Sequence, residues 1–75
     1  MNEKQALDGF SAIAQETRLR IIRLLVKAGA DGLSAGAITR SIAGASAPRI
    51  SFHLSHLENA GLVESRRKGR SIIYG

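Results

Sequence analysis

Few side chains in this sequence could do chemistry beyond packing. His53 and His56 are its two histidines, and three residues apart on a helix they could share a metal ion. Cysteine is absent, which removes thiolate zinc sites, disulfides and cysteine nucleophiles together. Glu58 is the one carboxylate near the two imidazoles, and at helical spacing it points elsewhere. The pair therefore reads as a semi-buried histidine bonding locally beside a surface one, with no metal and no cofactor expected. No glycine-rich phosphate loop follows a strand, no acids pair across a pocket, and no nucleophile has a histidine and an orienting acid. The expectation is a non-enzyme. The other candidate group is basic: Arg66, Arg67, Lys68 and Arg70 fall within five residues around Gly69. Such a cluster is either a solvated turn or an element that contacts phosphates. The elements that carry it decide.

The chain has 75 residues, room for one small domain over 1–75. A chain this short buries only about 60% of its extended surface, so its core is marginal. Hydrophobic residues make up 44% and charged residues 23%, a globular rather than a disordered composition. Eleven Lys and Arg against six Asp and Glu leave +5, which favours a polyanionic partner. Residues 1–32 hold five bases and four acids, whereas residues 33–75 hold six bases and only Glu58 and Glu64. The surplus lies in the second half. No apolar run approaches the length of a membrane span, and the opening MNEKQ lacks the apolar stretch of a secretory signal. A cytoplasmic domain away from membranes is expected.

Helical spacing of Ala6, Leu7, Phe10, Ile13 and Ala14 predicts a first helix over about 5–14. Its apolar stripe is large for its length, which makes a partner subunit a fair candidate to cover Leu7, Phe10 and Ile13. Thr17 is read as the N-cap of a second helix running to about Ala28, with Leu19, Ile22, Leu25 and Val26 on its buried face and Ile21 and Leu24 widening it. Gly29 to Gly32 is a turn cluster. Ser34 caps a third helix to about Ile42, burying Ala37, Ile38 and Ile42, and Gly44 breaks the chain. Ser46 caps a fourth helix from Ala47 to about Asn59, with Pro48 tolerated in its first turn, and Gly61 ends it.

The fourth helix is the most informative. Stepping about 100° per residue from Ile50 puts Leu54 near +40°, Leu57 near −20° and His53 near −60°, one buried stripe. Pro48, Ser51, Phe52 and Ser55 fall at about 100–200°, on the far side. That outward face is small and polar, nearly uncharged apart from Arg49 at its edge. Solvated helix faces usually carry Lys and Glu, so such a face suits close approach to another surface.

Leu62 to Arg66 alternates as a strand, Arg67 to Arg70 makes a turn at Gly69, and Ser71 to Tyr74 returns as an edge strand. The fold class is thus mainly α with a β-hairpin: four helices, then a two-stranded wing. Residues 34–59 are a helix-turn-helix candidate with a basic hairpin beside it. With the fourth helix in a major groove, the hairpin can reach flanking phosphates or the adjacent minor groove. Arg66, Arg67, Lys68 and Arg70 would then give salt-dependent affinity. Ser46 and the free amides of the first turn, around Ala47 and Pro48, could hold a backbone phosphate. Readout would fall to Arg49, Ser51, Ser55 and the Phe52 ring. His53 could donate to a backbone carbonyl and seat the helix. The alternative is a protein–protein interaction module using the N-terminal helix and the hairpin. Few aromatics are available for stacking on single strands, so double-stranded DNA is preferred to RNA.

The strings ETRLRIIRLL (16–25), LSAGAITRSI (33–42) and SAPRISFHLSHLENAGLVESRRKGRSIIY (46–74) resemble the ArsR/SmtB-type winged helix-turn-helix regulators. The most specific parts are Thr17, Arg18 and Leu19 with the apolar run after them, and Ser51 to Leu54, Leu57 and Ala60 to Val63. The resemblance implies a homodimeric transcriptional repressor on an inverted-repeat operator, released by an inducer that is often a metal ion. It places Ser51 and His53 in the recognition-helix motif and Arg66 to Arg70 in the basic wing. Two departures matter. Where the family's thiolate sensor has cysteines, this chain has Ser34, Ala35 and Gly36, which excludes a soft-metal site there. The family's other metal site uses a final helix that also pairs across the dimer, and this sequence stops at Gly75 before any such helix. A shortened form is expected, with a weakened dimer.

Overall fold

The computed structural model describes residues 2–75, and for residues 6–10 the backbone only. Helix α1 spans Glu3–Ala28, followed by a 3-10 turn at Gly29–Asp31. Strand β1 (Leu33–Ser34) leads into α2 (Ala35–Ser41), and α3 runs from Ala47 to Asn59. The hairpin of β2 (Ser65–Lys68) and β3 (Ser71–Tyr74) closes the chain. Four helical segments followed by a hairpin give the winged helix-turn-helix architecture that the sequence predicts.

The N-terminal half departs from expectation, because the two predicted helices are one. Asn2 starts α1 with a capping box: its side chain accepts from the Gln5 amide at 2.8 Å while Gln5 Oε1 accepts from the Asn2 amide at 3.0 Å. Thr17 does not cap. Its hydroxyl donates back to the Ile13 carbonyl at 3.0 Å, which lets a threonine sit inside a helix. Nothing between Ala14 and Thr17 breaks the ladder, since Gln15 and Glu16 are good helix formers. At about 1.5 Å per residue, the 26 residues of α1 reach about 39 Å.

The buried stripe of α1 is also rotated from the one expected. Ile21 and Leu25 enter the core, with Ile22 and Leu24 packed beside them, whereas Leu19 is 47% and Val26 76% exposed. The core is completed by Ile38 and Ile42 of the α2 region, Ile50, Leu54 and Leu57 of α3, and Val63. Helix α2 ends at Ser41, and Ile42 takes an extended conformation (φ −113°, ψ 116°) that turns it inward.

Tyr74 does not lie on an edge. Leu33 pairs with Tyr74 and Ser34 with Ile73, so β3 is the central strand of an antiparallel sheet in the order β1-β3-β2. Gly32 makes this possible. At φ +65° it sits so close to β3 that an added Cβ would stand 2.5 Å from the Tyr74 carbonyl oxygen. Two residues are too few to announce themselves as a strand. Ser34 still caps α2, accepting from the Ala37 amide at 3.1 Å.

Candidate nucleic-acid interface

Helix α3 begins and ends where its residues predict. Ser46 is extended (φ −115°, ψ 152°), its hydroxyl oxygen faces the Arg49 amide, and Pro48 lies in the first turn. At the other end Gly61 takes φ +77°, its amide donates to the Glu58 carbonyl, and the Leu62 amide donates to Leu57. This is a Schellman stop. Between these limits Ile50, His53, Leu54 and Leu57 are buried. Ala47, Pro48, Arg49, Ser51, Phe52 and Ser55 are all exposed. No acid occupies the first turn, so the amides at the positive end of the helix meet no local carboxylate.

His53 is buried at 5% exposure, and its Nδ1 has no hydrogen-bond partner among the described residues. The expected bond to a carbonyl is not formed there; the ring is held by packing. Burial pushes its pKa below the usual histidine value, and the positive charge of Arg18, then His56 and Arg49, pushes in the same direction. The neutral imidazole therefore belongs to the folded protein.

Phe52 projects from the outward face at 56% exposure. Its ring meets His56 edge-on at a centroid distance of 4.5 Å and His53 at 5.6 Å. This stacking brings His56 onto the same surface as Phe52. The i, i+4 spacing of the two aromatic residues carries that signal.

The first strand of the wing starts later and runs further toward the tip than predicted. Ser65 to Lys68 form β2 and pair from Ser65↔Tyr74 to Lys68↔Ser71, which leaves Gly69 (φ +61°) and Arg70 as the tip. Leu62 and Val63 precede the strand, and Glu64 and Gly75 exchange two backbone hydrogen bonds at its base. Arg66, Arg67, Lys68 and Arg70 are all exposed, but they do not share one role in the structure. The Arg66 guanidinium donates to the carbonyls of Ala30 (2.9 Å) and Asp31 (3.1 Å). Arg67 makes only a long contact, 3.4 Å, to the Gly69 carbonyl. The Ser65 hydroxyl donates to the Glu58 carboxylate near the end of α3.

Among the residues expected at a dimer contact, Ile13 is 58% exposed, and the side chains of Leu7 and Phe10 lie outside the described residues. Among the described residues no three His, Asp or Glu side chains gather as a metal site, and no helix is long and apolar enough to cross a membrane.

A family described as "Helix-turn-helix domain" matches residues 13–66, a span that covers α1 from Ile13 onward, α2, α3 and the start of the wing. The chain is 38% identical over 71 residues to the HTH-type transcriptional regulator YgaV of Escherichia coli K12, covering 95% of this chain and 69% of that protein. It is 37% identical over 65 residues to a probable mercury resistance operon repressor of Streptomyces lividans, covering 87% of this chain but 49%, about half, of that protein. These relatives are regulators, not enzymes. With the fold, they place the chain in the helix-turn-helix domain family, in the winged form carried by DNA-binding transcriptional regulators.

Proposed function

We propose that this chain is the DNA-reading domain of an ArsR/SmtB-type transcriptional repressor in the cytoplasm, with α3 in the major groove of an operator. The observation that carries this reading is the outward face of α3. Arg49, Ser51, Phe52 and Ser55 are all exposed and no acid occupies the first turn, while the opposite face is committed to the core. Arg49, Ser51 and Ser55 supply hydrogen bonds to base edges, and the Phe52 ring supplies an apolar contact suited to a thymine methyl. Ser46 and the amides after it, around Ala47 and Pro48, hold a backbone phosphate. His53 seats the helix from its buried side. Arg67, Lys68 and Arg70 on the wing contact flanking phosphates.

Two such domains, joined through the N-terminal half of α1 at Leu7, Phe10 and Ile13, would read an inverted repeat. The name of the Streptomyces relative supports repression as the mode of action. It does not bring mercury with it, because no cysteine is present among these 75 residues to bind a soft metal as thiolate. The test is duplex binding by two variants. Arg49→Ala should lose about 1–3 kcal/mol of discrimination between operator and random duplex. Arg67→Ala should weaken both about equally and reduce the salt slope by about one. A wing variant that altered specificity alone would overturn the division of labour.

A further inference from the structure

Arg66 stands apart from the other wing cations, and the difference begins with strand alternation. Side chains of β2 point to opposite faces in turn, so Ser65 and Arg67 share one face while Arg66 and Lys68 share the other. Ser65 uses its face to bond Glu58 at the end of α3. Arg66 uses the other to reach 35 and 36 residues back along the chain, bridging the Asp31 and Ala30 carbonyls. Those carbonyls belong to the 3-10 turn that terminates α1, where unsatisfied acceptors and the negative end of a 26-residue helix favour a cation. Gly32, just beyond, is pressed against Tyr74 on the central strand. The base of the wing is therefore held on both faces, to α3 through Ser65 and to the end of α1 through Arg66.

We infer that Arg66 is a positioning residue: it fixes the wing against the end of α1 so that Arg67, Lys68 and Arg70 meet the phosphates, and it does not itself contact DNA. This rests on the DNA-reading function proposed above, and it reassigns a residue that the sequence places among the phosphate contacts. Both bonds leave one guanidinium nitrogen, Nη2, whose two N–H groups can serve two carbonyls at once.

The test has one arm without DNA and one with it. In the free protein, Arg66→Ala should speed amide hydrogen exchange across β2 and β3 about tenfold, with far-UV circular dichroism unchanged. Arg67→Ala should leave that exchange as it is. Arg66→Met, which keeps the aliphatic stem, should behave as Arg66→Ala and guards against a packing artefact. With duplex DNA, a double-mutant cycle compares Arg66→Ala in the intact wing with the same change after Arg67 and Arg70 are replaced by Ala. A positioning role predicts a several-fold loss of affinity in the first background and almost none in the second. The inference is overturned if exchange is unaltered and Arg66→Ala costs the same affinity in both backgrounds, with its own unit of salt slope. Should the wild-type chain bind no duplex, the DNA-reading function fails, and the exchange arm alone still decides whether Arg66 holds the wing.

Discussion

His53 is the residue with the clearest consequence for pH. Its pKa in the folded chain lies below the usual 6.5 because burial, Arg18, His56 and Arg49 all disfavour the charged ring. The unfolded chain takes up a proton near pH 6.5 that the folded chain refuses, so this contribution to stability is complete above that pH and declines as pH falls below it. Thermal melts between pH 7 and 5.5 should show Tm falling with pH, and His53→Leu should flatten that slope. An unchanged slope in the variant would mean that other groups set it. The burial of His53 was legible in the sequence because it shares a stripe with Ile50, Leu54 and Leu57. The missing Nδ1 partner was not, since it depends on which carbonyls lie opposite across the core. The dual nature of the basic cluster was hidden for a similar reason: Arg66 bonds to residues more than thirty positions away, and no local pattern carries such a contact.

At the scale of elements, α3 and α1 make an instructive contrast. Helix α3 was readable to the residue because Ser46, Pro48 and Gly61 each fix a boundary by backbone chemistry. Helix α1 differs from the two helices expected because Thr17 has two uses, as a cap or bonded back to the preceding turn, and the choice depends on whether the chain before it is already helical. Strand β1 has too few residues to show in the sequence; only Gly32, at positive φ against β3, marks it. Gly32→Ala should cost more than about 1 kcal/mol, because it adds a clash with the Tyr74 carbonyl to an unfavourable φ. Chemical denaturation measures that loss, and exchange at Leu33 and Ser34 would show β1 leaving the sheet. Leu54→Ala, at a position with no exposure, should cost about 2–5 kcal/mol. That is enough to unfold much of so small a domain, and a loss below 1 kcal/mol would contradict the core described.

For the whole molecule the issue is how one domain with the proposed reading helix would act as a regulator. In the proposed function a single α3 covers one half-site, and affinity for an inverted repeat gains from linking two of them, because the second engagement is then intramolecular. Exposed Ile13 lies on the half of α1 proposed to join the copies. Ile13→Asp should therefore abolish cooperative loading of an inverted repeat in a mobility-shift titration while leaving half-site affinity within about twofold. Equal losses on both duplexes would place Ile13 elsewhere than at a subunit contact. The fold class was legible at this scale, and the proposed nucleic-acid-facing surface rests on charge asymmetry, the bare face of α3 and the basic hairpin, all in the second half of the chain. The manner of pairing was not, because it belongs to surfaces that meet only between molecules.

The central claim is that α3 reads sequence, and selection of bound duplexes from a random DNA library at moderate salt tests it most directly. The account predicts enrichment of one half-site, or of two as an inverted repeat about one helical turn apart, and loss of that enrichment with Arg49→Ala. Binding without enrichment, fading as salt rises and indifferent to Arg49→Ala, would show a basic surface with no reading helix and would contradict the account.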